Sequence, residues 1–138
     1  MKKIFVLAVL ICLIMGNARA DDQNKVRVEE LARTSKSWDG EILPAYPEGI
    51  PEITVLRITV PPGISLPLHM HPVINVGVLL EGELTVISED HEILRLNAGE
   101  AIIEVVDKWH YGKNEGEAPA VIVVFYAGTL DKPITISR

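Results

Sequence analysis

His69 and His71 stand one residue apart in Gly63-Ile-Ser-Leu-Pro-Leu-His-Met-His-Pro-Val-Ile-Asn75, and no other pair in the chain is better spaced to do chemistry. In an extended run, residues two apart share a face, so both imidazoles point to one side and can offer nitrogens to a single ion. Two ligands hold a metal poorly, and the sequence contains only two further histidines, His91 and His110. His110 lies in the strand-like apolar run Gly99-Glu-Ala-Ile-Ile-Glu104-Val-Val-Asp-Lys-Trp-His110-Tyr-Gly-Lys-Asn114, whereas His91 sits among Glu89, Asp90 and Glu92, in what reads as a solvent-exposed hairpin tip. Nucleophilic routes lack their residues. The single cysteine, Cys12, falls in the apolar N-terminal segment, and neither a Gly-x-Ser-x-Gly elbow nor a glycine-rich phosphate loop occurs. Any chemistry must run through an ion.

These two stretches resemble the paired motifs of the cupin superfamily over about fifty residues. The first motif is a glycine, five residues, His-x-His, three or four residues, a glutamate, six residues and a glycine. Gly63, His69, His71 and Gly82 fall on it, with Asn75 in the place of the glutamate. The second is a glycine, five residues, Pro-x-Gly, two residues, a histidine, three residues and an asparagine. Gly99, His110 and Asn114 match, while Val105 and Asp107 replace the proline and the glycine. The resemblance implies an all-β fold, a double-stranded β-helix or jelly-roll barrel, with a metal held in its mouth by His69, His71 and His110. It leaves the reaction open, because the family holds enzymes, storage proteins and ligand-sensing modules alike. Three-histidine iron sites in the superfamily resemble those of certain dioxygenases, so oxygenase-type chemistry on a small molecule is the first enzymatic expectation and a metal-assisted lyase or isomerase the second. A non-catalytic periplasmic module that captures a small ligand or metal ion is the alternative from another class.

Asn75 is the departure that bears most on the ion. Its amide can offer a neutral carbonyl oxygen as a fourth ligand, or it can orient a histidine or water from behind. Either way one negative charge is lost, which favours Fe²⁺, Ni²⁺, Cu²⁺ or Zn²⁺ over the carboxylate-preferring Mn²⁺. Glu104 can restore that charge. Period two groups it with Ile102, and the resemblance places that position toward the cavity; local twist could instead turn it to solvent. Facing inward, Glu104 would be a general base or a fourth ligand with a perturbed pKa. Gly77 shares the face of Asn75, and its missing side chain is expected to leave room above the ion. Trp109 and Tyr111 should point away from the cavity, Tyr126 could line the mouth or simply pack, and Asn114 should fix a loop through backbone hydrogen bonds.

The elements that must position these residues are strands. β-Branched or apolar runs cover Glu52–Val60, Leu66–His71, Val73–Leu80, Leu84–Ser88, Ile93–Leu96, Ala101–Val106, Trp109–Gly112 and Ala120–Tyr126, separated by turn signals at short intervals. That predicts eight or nine strands, no helix in the mature chain, and one antiparallel double-sheet domain over residues 51–138. Before it, residues 21–50 read as an arm wrapping a sheet edge. Pro44, Pro47, Gly49 and Pro51 exclude a regular helix there, Trp38 and Tyr46 are its expected anchors, and Val26, Val28 and Leu31 fit a short strand or one helical turn.

Composition bounds the setting. Residues 1–20 carry a Lys2-Lys3 start, an apolar run from Ile4 to Met15 and Ala18-Arg19-Ala20, the parts of a cleaved secretory signal peptide, so a periplasmic or secreted protein is expected. The run is too short to span a bilayer, and no membrane association is expected after cleavage. The chain has 13 basic and 19 acidic residues; losing Lys2, Lys3 and Arg19 leaves 10 basic residues and a formal charge of −9. Such a surface repels nucleic acid. Val76–Leu80 and Val121–Phe125 are apolar on both faces, and a lone small barrel should show a polar outer face, so a homodimer is expected.

Overall fold

A computed structural model describes residues 25–138, and the signal-sequence expectation for residues 1–20 lies outside them. Nine strands form among the described residues: β1 (Pro51–Val60), β2 (His69–Met70), β3 (Ile74–Glu81), β4 (Glu83–Ser88), β5 (Ile93–Asn97), β6 (Ala101–Ile103), β7 (His110–Lys113), β8 (Ala120–Thr129) and β9 (Ile136–Ser137). They build two antiparallel sheets of order β1-β8-β3-β6 and β5-β4-β7-β2-β9, the all-β jelly-roll architecture expected.

Period-two alternation decides what lies between the sheets. Along β3, Asn75, Gly77 and Leu79 are buried while Ile74, Val76 and Val78 are not fully so. Ile122, Val124 and Tyr126 of β8 join Val60, Leu79 and Ile102 from the first sheet and Leu84, Val86 and Leu96 from the second in one core. Each fully buried aliphatic side chain here contributes roughly 1.5–3 kcal/mol through water exclusion. Gly82 turns the chain between β3 and β4 at φ +73°, and a Cβ there would come within 2.5 Å of the Pro119 carbonyl oxygen. Only glycine satisfies both conditions. Asn114 is wholly buried: its amide NH₂ donates to Val60 O at 2.9 Å and Ala118 O at 2.8 Å, and its Oδ1 accepts from Gly116 N–H, which pins the β7–β8 loop as expected.

Several expectations are corrected. The Leu66–His71 strand shrinks to His69–Met70, since Pro67 and Pro72 cannot donate to a ladder. The Ala101–Val106 strand stops at Ile103, where the chain bends toward Asp107 at φ +55°. Asp107 occupies the motif's glycine position, and the backbone there is left-handed, which explains the glycine; aspartate is among the few residues that tolerate it. Val26, Val28 and Leu31 form neither strand nor helix; Val26 and Val28 are almost fully exposed, while Leu31, 48% exposed, lies beside Leu94, Leu96 and Ala101. Trp38 does anchor the arm: it packs on the core, and its backbone N–H donates to Ile103 O of the edge strand at 2.9 Å. Tyr46 does not, being 78% exposed.

Candidate metal centre

The ladder between β2 and β7 sets His69 directly opposite His110. His71 follows two residues later on the same face, so the three rings meet between the sheets. Ring centroids are 4.5 Å apart for His69 and His110, 4.9 Å for His69 and His71, and 5.0 Å for His71 and His110. One ring nitrogen from each lies within 4.8 Å of the other two, which places the three histidines to hold a metal ion. An ion about 2.1 Å from each nitrogen needs them no more than about 4.2 Å apart, so the three rings must draw slightly together around it.

Each ring is turned by its backbone neighbours. Nδ1 of His69 lies 2.7 Å from Pro67 O, Nδ1 of His110 lies 2.9 Å from Lys108 O, and Nδ1 of His71 lies 2.8 Å from Ile134 O. A carbonyl oxygen only accepts, so each Nδ1 carries the proton and each Nε2 keeps its lone pair. Fixing the tautomer in this way is what outer partners of metal-binding histidines do. Burial, with the neighbouring histidine charges, lowers both His71 and His110 to about 4, which keeps them neutral and ready to ligate.

Glu104 faces inward, beside His110. Its Oε2 stands 3.5 Å from His110 Nε2, and both atoms are buried without a hydrogen-bond partner. Burial raises the carboxyl from 4.5 to about 7. With His110 neutral the contact is no ion pair. Two facing, unpartnered buried ligand atoms are costly unless something bridges them, and a cation satisfies both. The donor set therefore fits a divalent metal.

The surrounding cavity, about 40 Å³, is walled by the three histidines, Glu104, Tyr126 and aliphatic side chains including Leu66, Leu84, Val86, Ile122 and Val124. The Tyr126 ring lies 5.2 Å from that of His71, so it lines the site rather than only packing. Burial and the nearby Glu104 carboxylate push the phenol up to about 12. Asn75 is buried opposite Tyr126 on β3, donates weakly to Val73 O at 3.4 Å, leaves Oδ1 unpartnered, and is not among the cavity-lining side chains. Gly77 does not leave room above the ion: a Cβ there would press on Ile122 and Ile102, so its smallness serves packing. Trp109 and Tyr111 stay out of the cavity, and the Arg138 guanidinium sits 5.6 Å over the Trp109 ring. His91 is an exposed turn residue.

Two supports escaped the sequence reading. The C-terminal segment pairs β9 with β2, bringing the Ile134 carbonyl and Thr135 Oγ1, 3.2 Å from Nδ1, to His71. The β-branched Ile134-Thr135-Ile136 run after Pro133 was its only signal. Lys108, two residues before His110, bonds Asp39 of the arm at 2.6 Å and Asp90 of the hairpin tip at 3.0 Å. Burial alone would raise the Asp39 carboxyl, but hydrogen bonds from Lys108, Ser37 and the Glu41 N–H outweigh it and hold it below its ordinary value.

A family model described as a cupin domain matches residues 56–126. Among solved structures, the DMSP lyase DddQ of Ruegeria pomeroyi aligns with a TM-score of 0.54 at 22% identity over 62% of this chain and 42% of that one. An oxalate oxidase aligns with a TM-score of 0.53 at 24% identity, over 62% and 45%. The oxalate decarboxylase of Lactobacillus farciminis gives 0.54 at 20% identity, over 62% and 26%. The chain thus spans less than half the length of these proteins, and the likeness is one of fold. No curated protein matches the sequence. Because the matched segment is half of the chain and carries His69, His71, Glu104 and His110 within it, this chain belongs to the cupin domain family.

Proposed function

We propose that this protein holds one divalent transition-metal ion through Nε2 of His69, His71 and His110 and acts on, or captures, a small molecule there. The observation that carries the proposal is the set of the three rings: every Nδ1 is engaged by a carbonyl, each ring offers one nitrogen within 4.8 Å of the other two, and Nε2 of His110 faces the unpartnered Glu104 oxygen. A bound divalent ion supplies Lewis acidity and open positions for a small bidentate molecule.

Glu104 then has two uses, as a fourth ligand or as a group that takes and returns a proton at Oε2. Its raised pKa, near neutrality, suits the second role. With this carboxylate present the donor set regains the charge that Asn75 removes, so charge alone no longer disfavours Mn²⁺; three imidazoles still favour Fe²⁺, Ni²⁺, Cu²⁺ or Zn²⁺. Asn75 joins the set only if its amide turns toward the ion. The wall of the cavity is largely aliphatic, and its volume of about 40 Å³ accepts only a very small partner without opening. Oxygenase-like turnover of a small acid, diketone or thiol comes first among reactions, and a lyase or isomerase step with Glu104 moving the proton second. The small cavity equally supports a non-catalytic binding module. The tripartite composition of residues 1–20 supports export, hence a periplasmic or secreted protein.

Titrating metal-stripped protein with Fe²⁺, Ni²⁺, Cu²⁺, Zn²⁺ and Mn²⁺, then following oxygen uptake and product formation across small thiols, diketones and carboxylic acids, tests this reading. Tight binding of one ion per chain with turnover supports the enzyme, and tight binding without turnover supports the binding module. Failure to bind any of the ions rejects both.

A further inference from the structure

No lysine or arginine lines the cavity beside the three histidines. The strands that wall it, β1, β2, β4, β7 and β8, carry two cations between them, Arg57 and Lys113. Each is the sequence neighbour of a lining residue, Ile58 or Gly112, so period two turns it to the opposite face of its sheet, where Lys113 pairs with Glu115 at 3.1 Å. Lys108 is held by Asp39 and Asp90, and Arg138 lies over the Trp109 ring, outside the cavity. The remaining wall is aliphatic apart from Glu104 and Tyr126.

Exposure marks the way in. Of the lining residues, Ile58, Leu66 and His69 are half-buried and all the others are buried, so the mouth lies between two aliphatic side chains and one of the three histidines. Leu66 is fixed there by its backbone N–H, which donates to Gly112 O at 2.8 Å. A cavity of about 40 Å³ has room for about three waters, at roughly 10–15 Å³ each, so anything larger must push Ile58 or Leu66 aside and meet their hydrocarbon.

We propose that this centre selects a small uncharged molecule, two neighbouring oxygen or sulfur donors on an apolar skeleton, and turns away dicarboxylates and phosphate esters, with Ile58 and Leu66 deciding what enters. The proposal rests on His69, His71 and His110 holding an ion. A buried charge is costly unless it is paired. A dianion here would add to the negative charge of Glu104, and no cationic side chain offsets it. An uncharged chelator loses little on leaving water, and its methyl groups gain the aliphatic wall.

Acetoin and oxalate test the selection. They have the same number of non-hydrogen atoms and chelate through two neighbouring oxygens, but one carries two methyl groups and the other two negative charges. In calorimetric titrations of the zinc-loaded chain, with zinc content measured after each, acetoin should bind at least about tenfold more tightly than oxalate. Leu66→Lys, whose stem can follow the wall while its ammonium stays at the mouth, should tighten oxalate by at least about tenfold. If Leu66→Lys does not fold, Ile58→Lys gives the same readout. A wild type that binds no zinc overturns the metal reading and this proposal with it. A zinc-loaded wild type that binds oxalate as tightly as acetoin, or binds neither, overturns the selection alone, and so does a lysine variant whose oxalate affinity is unchanged.

Discussion

Glu104 Oε2 and His110 Nε2 face each other at 3.5 Å, both buried and neither bonded to anything else in the protein. A carboxyl raised from 4.5 to about 7 destabilises the metal-free fold, because the folded state keeps a proton that the unfolded state has released. By linkage this group's share of stability is full below pH 4.5 and declines until pH 7. Glu104→Gln should therefore stabilise the metal-free protein at pH 8 by up to about 3 kcal/mol, with little effect at pH 4. The same substitution should weaken metal affinity by about ten- to a hundredfold. Denaturant titrations at the two pH values and a chelator competition check the opposite signs; a change of the same sign in both would reject Glu104 as a partner of the ion.

The arm is fastened by Lys108. Asp39 has no exposed side-chain surface, whereas Asp90 is 62% exposed. Lys108→Met leaves the buried Asp39 carboxylate unpaired and should cost about 3 kcal/mol. Asp90→Asn should cost under about 1 kcal/mol. Urea midpoints measure both, and equal losses would show that burial does not separate the two pairs.

Acid should release the arm. Asp39 is held below its ordinary value, so its contribution is complete above the unfolded value of about 3.9 and is lost as pH falls through the lower folded one. Trp38 emission, read in a Trp109→Phe background, should report solvation of the arm below about pH 4 while the wild-type signal stays flat from about pH 5 to 8. In Asp39→Asn that acid transition should disappear.

Asp107 sits at φ +55°. Replacing it with glycine relieves the left-handed strain and should stabilise the fold by as much as about 1 kcal/mol, while valine should cost more than about 1 kcal/mol. Calorimetric melting of both variants decides whether the backbone, rather than the carboxylate, sets the residue there.

The C-terminal segment should act on His71. Ending the chain after Pro133 removes the Ile134 carbonyl and Thr135, and it should lower metal affinity by about ten- to a hundredfold. Thr135→Val, which keeps the carbonyl, should have a smaller effect. Isothermal titration separates the two.

How far the sequence carries varies with the range of the interaction. Strand positions follow from local alternation, so β1, β3, β4 and β5 begin and end close to where the pattern places them, and β8 begins there but runs on to Thr129. His69 and His71 share a face by the same rule, and Glu104 follows Ile102 inward even though its strand has already ended. The ladder pairs with longer reach were not legible. Nothing local announces that Ile134 returns across the fold to His71, or that Lys108 gathers acids from the arm and the hairpin tip. Tyr46 misled because an aromatic residue in an arm reads as an anchor, and composition does not reveal which arm residues find a surface to cover.

In the proposed centre, three Nε2 atoms share one ion. X-ray absorption at the edge of the bound metal, on protein purified without chelators, tests it most directly. One ion per chain is expected, with three imidazole nitrogens at about 2.1 Å and a shell that loses one imidazole in His71→Ala. A metal-free preparation that takes up no added ion, or an unchanged shell in His71→Ala, would contradict it.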